Sequence, residues 1–317
     1  MNNHKPIIAV VGATGAQGGG LIRAILADRS QRFSARAITR DPNNPAAREL
    51  ARLGAEVVGA DVDDAASLER AFSGAEAAFC VTFYWAHLSP KKEIAHAQNL
   101  ARAAKRAAVK HVIWSTLEDT RRLLPLSDPR MPTLLEEYNV PHFDAKGSCN
   151  SIFAELGLPT TYLYTSFYWE NLIYFGLGPK RGPDGTLAFT LPMGHAKLPG
   201  IAAEDIGRSA YALFLRDAAT LGQSFGIAGE HLSGGEMARA LSHALGEPVL
   251  YDDIAPAAFR AFAFPGADDL GNMFQFKRDF EQEFRARRDL HRSRELNPGM
   301  QTFAEWLTVN ARQIPLG

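Results

Sequence analysis

The chain has 317 residues, of which 46% are hydrophobic and 22% are charged, and its formal net charge at pH 7 is −1. This length supports a two-lobed protein with substantial cores and excludes a small disulfide scaffold. A net charge near zero offers no positive surplus for phosphate backbones, so we expect no direct nucleic-acid partner.

The N-terminal region contains only five consecutive apolar residues, 7–11, before a glycine loop, which is too short for the core of a signal peptide. No other run approaches the length of a membrane span. Cys80 and Cys149 do not occur in a zinc-binding spacing, so we expect neither a disulfide framework nor a metal site. These features predict a cytoplasmic protein with no membrane partner.

Short apolar segments alternate with helical patterns through the first half of the chain. We predict strands at residues 7–11, 34–39, 56–60, 77–82, 111–115 and 160–164. The segments between them, such as residues 19–27 and 93–108, have amphipathic helical spacing. Right-handed crossovers between such units predict a Rossmann-type α/β fold with a doubly wound parallel sheet.

The pattern changes beyond Asn171 to turns rich in Gly and Pro, short strands, and helices that include residues 204–216 and 233–245. We therefore predict an NADP(H)-binding Rossmann domain at residues 1–170 and a smaller α+β lobe at residues 171–317. The second lobe would form the cleft for a ligand or partner, and the return of some of its segments to the sheet is left open. The spacing of Ser233 and Glu236 predicts a capping box for the last of these helices.

A glycine-rich motif, GATGAQG at residues 12–18, lies directly between the first predicted strand and the first predicted helix. Glycines permit a tight turn there, allow the backbone to approach a pyrophosphate, and let the helix pack closely on the sheet. The phosphates would then lie at the helix N-terminus. We predict contacts to a dinucleotide cofactor from Gly12, Thr14, Gly15, Ala16, Gln17 and Gly18. No GK[ST] sequence follows, so ATP is not the expected ligand.

The residues after the second and third strands bear on cofactor choice. Arg40 ends the second strand, where a guanidinium suits the 2′-phosphate of NADP(H) and an acid would suit the free ribose of NAD(H). This favours NADP(H), although Asp41 is the alternative ribose ligand. Asp61 and Val62 follow the third strand and either cover the adenine or, in the case of Asp61, cap the next helix.

Several longer motifs carry a family resemblance. They are VTFYW at residues 81–85, WSTLED at 114–119, VPHFDAKG at 140–147, YWENL at 168–172 and FPGADDLGNMFQF at 264–276. In these motifs, and over nearly its whole length, the chain resembles the NmrA-like proteins of the HSCARG group, atypical relatives of the short-chain dehydrogenases that bind NADP(H). Besides the glycine loop and Arg40, the resemblance implies cofactor contacts from Thr82, Phe83, Lys146, Tyr168, Trp169, Glu170 and Asn171.

The chain departs from the family pattern at two places. The family commonly continues KGE with further acidic residues, where this chain has Ser148, Cys149 and Asn150 after Gly147. The family loop TNYW is replaced by residues 82–85, TFYW. Both changes concern the nicotinamide end of the site and leave its chemistry open, and the role of Cys149, as a redox-active thiol or an inert small residue, is open as well.

The catalytic tyrosine of the short-chain dehydrogenases is missing. The segment 142–146, HFDAK, occupies the place of Tyr-x-x-x-Lys, so that only Lys146 remains to hold the nicotinamide ribose. His142 stands in place of the tyrosine and is either the proton donor or, because it follows Pro141, a structural residue of the first helical turn. Ser115, at the end of the fifth strand, either polarises a substrate or bonds to local backbone.

Two functions follow from these observations. The missing tyrosine and the family resemblance favour an NADP(H)-binding, redox-sensing regulator with little or no dehydrogenase activity and a regulatory protein partner. The alternative is an NADPH-dependent reductase of a small, apolar carbonyl, imine or quinone substrate, in which Lys146 holds the ribose, Ser115 orients the acceptor and His142 or water supplies the proton. A homodimer is left open.

Overall fold

The computed structural model describes residues 5–317, which form two compact units. Unit 1 comprises the described residues up to Asp119 together with Ala145–Tyr164 and Ile206–Phe225. Unit 2 comprises Thr120–Asp144, Thr165–Asp205 and Gly226–Gly317. The two units are therefore interleaved along the chain, and residues 206–225 return to unit 1 after a long stretch of unit 2.

The strands are β1 (Ile7–Val11), β2 (Ser34–Thr39), β3 (Glu56–Gly59), β4 (Ala77–Cys80), β5 (His111–Thr116), β6 (Thr160–Tyr164), β7 (Phe167–Tyr168), β8 (Lys180–Arg181), β9 (Leu187–Thr190), β10 (Lys197–Ile201), β11 (Ser224–Gly226), β12 (Glu230–Ser233) and β13 (Val249–Asp252). The helices are α1 (Ala16–Ala27), α2 (Pro45–Arg52), α3 (Ala65–Phe72), α4 (Pro90–Arg106), α5 (Pro141–Ser148), α6 (Asn150–Glu155), α7 (Asn171–Tyr174), α8 (Ala203–Arg216), α9 (Gly234–Leu245), α10 (Pro256–Arg260), α11 (Ala267–Asp279), α12 (Glu281–Arg287), α13 (Leu290–Leu296) and α14 (Phe303–Asn310).

The main sheet has the strand order β11-β6-β5-β4-β1-β2-β3, and each pairing from β6 through to β3 is parallel. Every residue of β1 is buried, as expected for a parallel strand that is covered on both faces. This order is that of a Rossmann fold, so the predicted fold class is confirmed. The order reverses between β1 and β4, and ligands of open α/β sheets bind outside the carboxyl ends of strands at such a point.

Several elements differ from the predicted bounds near the site. Strand β4 ends at Cys80, which pairs with Trp114 of β5, so that Thr82 lies in the loop beyond the ladder. Helix α4 begins at Pro90 rather than at Glu93, because Ser89 caps it by accepting a hydrogen bond from the backbone N–H of Lys92 at 3.3 Å. These shifts place the 81–89 segment between the sheet edge and α4.

Unit 2 contains two three-stranded sheets, ordered β12-β10-β7 and β13-β9-β8. The predicted capping box at the start of α9 is confirmed: the Ser233 hydroxyl accepts from the backbone N–H of Glu236 at 3.2 Å, and the Glu236 carboxylate accepts from that of Ser233 at 2.8 Å. Among residues 5–317, no helix has the length and apolar character needed to cross a membrane.

Candidate functional site

The glycine loop has the geometry that its sequence predicts. Gly12 has φ of +65°, a conformation that favours glycine, and its carbonyl accepts a hydrogen bond from the backbone N–H of Gly15 at 2.9 Å. A Cβ on Gly18 would lie 2.4 Å from the carbonyl oxygen of Gly12. Helix α1 begins immediately after Gly15, its N-cap residue. The loop therefore presents the N-terminus of a helix, a favourable place for an anion such as a pyrophosphate.

A cavity of about 330 Å³ opens beside this loop in unit 1. Its volume falls within the range of small-molecule sites. Of the residues predicted to contact a cofactor, those lining the cavity are Gly12, Thr14, Gly15, Arg40, Asp61, Val62, Thr82 and Phe83. The structure thus brings together predicted residues that follow four different strands, at the carboxyl edge of the sheet.

The two residues considered for the adenosine ribose are placed differently. Arg40 is exposed and lines the cavity. Asp41 uses its carboxylate to accept a hydrogen bond from the backbone N–H of Asn43 at 2.9 Å. Arg40 therefore lines the cavity, whereas Asp41 stabilises the turn before α2.

Asp61 lines the cavity but does not cap a helix. The N-cap of α3 is Asp64, whose carboxylate accepts from the backbone N–H groups of Ala66 and Ser67 at 3.0 and 3.2 Å. The capping alternative for Asp61 is therefore wrong. Its contact with an adenine remains a prediction.

Ser115 joins β5 to the glycine loop. Its hydroxyl is buried and donates to the side-chain oxygen of Gln17 at 2.8 Å. The partner is a side chain from the first turn of α1 rather than nearby backbone. Two predicted site residues therefore meet, although a role for Ser115 in orienting a substrate remains a prediction.

Lys146 lies in a buried polar cluster with Thr82 and Glu93. Its ammonium donates to the hydroxyl of Thr82 at 2.7 Å and to the carbonyl of Thr82 at 3.1 Å, and lies 3.0 Å from Oε1 of Glu93. The Thr82 hydroxyl in turn donates to the same Oε1 at 2.5 Å. The three donors of the ammonium thus have three acceptors within unit 1.

Glu93 is fully buried, and its ionisation depends on this cluster. Burial by itself raises the pKa of the Glu93 carboxyl, but attraction to Lys146 and hydrogen bonds from Thr82 and Lys146 outweigh it, so the pKa lies below its ordinary value. Glu93 is therefore a carboxylate at neutral pH and the counter-ion of Lys146.

His87 lies on the other side of Glu93, with Nε2 at 3.4 Å from Oε2 of the carboxylate. Burial lowers the pKa of His87 despite the attraction of Glu93, so the ring is neutral at pH 7. Its Nδ1 accepts from the backbone N–H of Ser89 at 3.1 Å, which leaves the ring proton on Nε2, an atom that makes no hydrogen bond within the described residues.

His87, Glu93 and His96 together offer side-chain atoms within 4.8 Å of one another, a spacing that would suit a metal ion. Two features oppose that interpretation. The proton on Nε2 of His87 blocks the atom that would bind the metal, and the Lys146 ammonium already neutralises the carboxylate. His96 bonds through Nε2 to the Asp63 carboxylate at 2.8 Å. The arrangement is that of an ion pair between Lys146 and Glu93, beside which Nε2 of His87 and Oε2 of Glu93 make no hydrogen bond among residues 5–317.

Sequence reasoning missed Glu93, His87 and His96, although His87 and His96 line the cavity. The available signal was the helical spacing of Glu93, His96 and Leu100, which share the buried face of α4. A carboxylate on the apolar face of an amphipathic helix requires a buried partner, and that partner is Lys146.

His142 is buried in unit 2 and is held by Asp269. Its Nδ1 lies 2.6 Å from one carboxylate oxygen of Asp269, and its backbone N–H donates to the other at 3.1 Å. Helix α5 begins at Pro141, so His142 occupies the first turn, as in the structural alternative. Its role as a proton donor remains a prediction.

The Asp144 carboxylate explains much of the PHFDAKG motif. It is fully buried and accepts from both the backbone N–H and the hydroxyl of Thr120, at 2.7 and 2.5 Å. It also accepts from the backbone N–H groups of Asn139 and Val140 at 2.8 and 3.0 Å. Asp144 thereby fixes the segment of chain that enters α5. Asp144 itself lies four residues before the end of that helix.

The YWENL motif contributes to the interior of unit 2. Trp169 is buried against Phe303 and Trp306, and Glu170 accepts from the indole N–H of Trp306 at 2.9 Å. Tyr168 and Asn171 are half-buried. Cofactor contacts from Tyr168, Trp169, Glu170 and Asn171 therefore remain predictions, beside a clear packing role for two of them.

Cys149 has the properties of an inert thiol. It is fully buried, donates to the carbonyl of Ala145 at 3.1 Å, and burial raises its pKa to about 12 despite the nearby Lys146 charge. A thiol that stays protonated is a poor nucleophile. The structure thus favours the small-residue interpretation over a redox-active one.

Comparison with known proteins agrees with the motifs. Residues 4–307 match the NmrA-like family. The NmrA-like family domain-containing oxidoreductase FrzB of Cladobotryum sp is 29% identical over 85% of this chain and 83% of its own length. The NAD(P)H azoreductase of Xenophilus azovorans is 28% identical over 77% of this chain and 76% of its own length.

A solved structure resembles the whole fold. The crystal structure of NmrA, a negative transcriptional regulator, in complex with NADP has a TM-score of 0.78 and 25% identity, covering 96% of this chain and 95% of that one. NmrA in complex with NAD has the same TM-score. Because the family match extends over nearly the whole chain and agrees with the motifs, this protein belongs to the NmrA-like family.

Proposed function

We propose that this protein is an NADP(H)-dependent reductase. The observation that carries the proposal is the cavity beside the glycine loop, whose lining includes Gly15 at the helix N-terminus and Arg40. The first suits a pyrophosphate and the second a 2′-phosphate. NmrA, of the same fold, has been crystallised with NADP and with NAD, which supports a nicotinamide dinucleotide here as well.

The acceptor is one whose reduction does not require the missing tyrosine. Bound NADPH would supply a hydride, which together with one proton reduces a double bond by two electrons. Hydride addition to a quinone yields a hydroquinone anion, a weaker base than the alkoxide formed from a ketone, so for this acceptor water or His142 suffices as the proton source. The names of FrzB and of the azoreductase support catalysis in this family. Lys146 would support the cofactor side of the site through Thr82, which lines the cavity, and Ser115 would orient the acceptor.

The second candidate is a regulator that senses the cofactor and acts through a protein partner. The description of NmrA as a negative transcriptional regulator favours it, as does the replacement of the tyrosine by His142, which is bound to Asp269. In this case the oxidation state of the bound nicotinamide would shift the protein between conformations.

One experiment separates the two candidates. NADPH oxidation is followed at 340 nm with quinones, azo dyes, imines, aldehydes and ketones, while NADPH and NADH affinities are measured by titration. Turnover above about one per second on any acceptor supports the reductase. Tight NADPH binding without turnover on the whole panel supports the regulator, and no binding of either nucleotide refutes both.

Arg40→Ala tests the cofactor preference. We expect a loss of about tenfold or more in NADPH affinity, because a charge-assisted hydrogen bond to the 2′-phosphate is lost, and little change for NADH. An equal loss for the two nucleotides would remove Arg40 from the 2′-phosphate site.

A further inference from the structure

Glu93 has no place in the proposed reaction, yet it is the fully buried centre of the cluster behind the cavity wall. Its Oε1 accepts from the Thr82 hydroxyl and faces the Lys146 ammonium. Burying a carboxylate is costly unless it is paired and hydrogen-bonded, so the presence of Glu93 at this position needs a functional explanation.

Thr82 connects this cluster to the cavity. It lines the cavity, as does Phe83, whereas its hydroxyl and carbonyl both accept from Lys146. Because the hydroxyl proton is directed to Glu93, the side chain of Thr82 is fixed from behind by two charged groups. The cavity wall at Thr82 and Phe83 therefore depends on an ion pair that a ligand need not touch.

We propose that Glu93 is a positioning residue for cofactor binding, which acts by holding the Lys146 ammonium against Thr82 and so fixes this part of the cavity wall. The proposal rests on the proposed NADP(H) binding. Glu93 acts only through Lys146, because a protein without the ammonium has no group for the carboxylate to position. Since the cluster is separate from Arg40, its effect is the same for NADPH and NADH.

The test is a double-mutant cycle in nucleotide affinity with Glu93→Gln, Lys146→Met and the double variant. We expect each single variant to weaken NADPH and NADH binding by about tenfold, because the cavity wall at Thr82 and Phe83 would then have to be ordered on binding. The double variant should bind no more weakly than Lys146→Met, because Glu93 acts through Lys146. The emission spectrum of bound NADPH should shift alike in Lys146→Met and in the double variant.

Glu49→Gln is the matched control, since Glu49 is an exposed carboxylate paired with Arg52 on α2. It should leave both affinities and the emission spectrum unchanged. If the single variants do not fold, the double variant, in which both buried charges are removed together, is compared with the wild type, and wild-type affinity in the double variant would overturn the proposal. Additive losses, or wild-type affinity in folded Glu93→Gln, would overturn the proposal. Absence of nucleotide binding by the wild-type protein would instead refute the proposed function.

Discussion

Replacing Glu93 by Gln measures how much the buried ion pair with Lys146 contributes to the free energy of unfolding. The variant keeps the shape of the side chain and one acceptor oxygen but removes the counter-ion of Lys146, which lies 3.0 Å away. Breaking a fully buried pair from one side costs about 3 to 5 kcal/mol, because the remaining charge is left uncompensated. We expect the lower end, about 3 kcal/mol, since glutamine can still accept from Thr82. That is a large fraction of the total of about 5 to 15 kcal/mol for an ordinary protein.

The lowered pKa of Glu93 also predicts how the free energy of unfolding changes with pH. The pKa of Glu93 is lower in the folded protein than its ordinary value of about 4.3, so the unfolded chain binds the proton more readily. The stabilisation from the pair is therefore complete above that ordinary value and is lost as the pH falls through the lowered pKa. The difference in the free energy of unfolding between wild type and Glu93→Gln should be largest at pH 7 and should decrease as the pH falls into the acid range.

Urea denaturation, followed by circular dichroism at pH 7 and at several values below pH 5, measures both quantities. Glu49→Gln serves as the control, because its exposed carboxylate should contribute no measurable free energy of unfolding at either pH. A Glu93→Gln variant as stable as the wild type at pH 7, or a difference that does not change on acidification, would refute the electrostatic reasoning.

Three further predictions concern the loop, the thiols and the histidine. Gly18→Ala should lower the melting temperature and abolish NADPH binding, because its Cβ would meet the backbone of Gly12 at 2.4 Å. Gly19→Ala should be tolerated, because its Cβ would meet the flexible Arg23 side chain at 3.2 Å and the carbonyl oxygen of Ala13 at 3.4 Å, an ordinary van der Waals distance. Burial raises the pKa of both cysteine thiols, so a disulfide reagent at pH 8 should label neither until denaturant is added; rapid labelling of the native protein would contradict this. If His142 is the proton donor, His142→Ala should abolish turnover and leave NADPH affinity nearly unchanged. Retained turnover in this variant would mean that His142 has a structural role only.

The sequence was sufficient for features that depend on local pattern. β1, β2 and β6 were predicted with their observed bounds because each is a short segment between clear turn or helix signals, and β1 is apolar throughout. The glycine loop was equally accessible, since its conformation is dictated by residues within one strand-turn-helix unit. The lining of the cavity beside the glycine loop could therefore be predicted from the sequence as far as Arg40 and Asp61.

Features that depend on tertiary placement were not accessible in this way. The end of β4 at Cys80 is set by its pairing with β5, and the partner of His142 lies 127 residues away at Asp269. The role of Glu93 depends on α4 and α5 meeting behind Thr82, which no periodicity encodes. The return of residues 206–225 to unit 1 is likewise a property of the folded chain.

The three acceptors around the Lys146 ammonium have a consequence for the rate of binding. A lysine that is already fixed has lost its rotamer entropy during folding, so the cavity wall that it holds at Thr82 does not have to be ordered when a ligand arrives. That saving is about 0.5 to 1.5 kcal/mol for a long side chain, and it lowers the entropic cost of association. Pre-organisation of this kind leaves little rearrangement to slow the approach of a nucleotide, so we expect association in a single fast phase rather than binding followed by slow ordering of the cavity wall at Thr82.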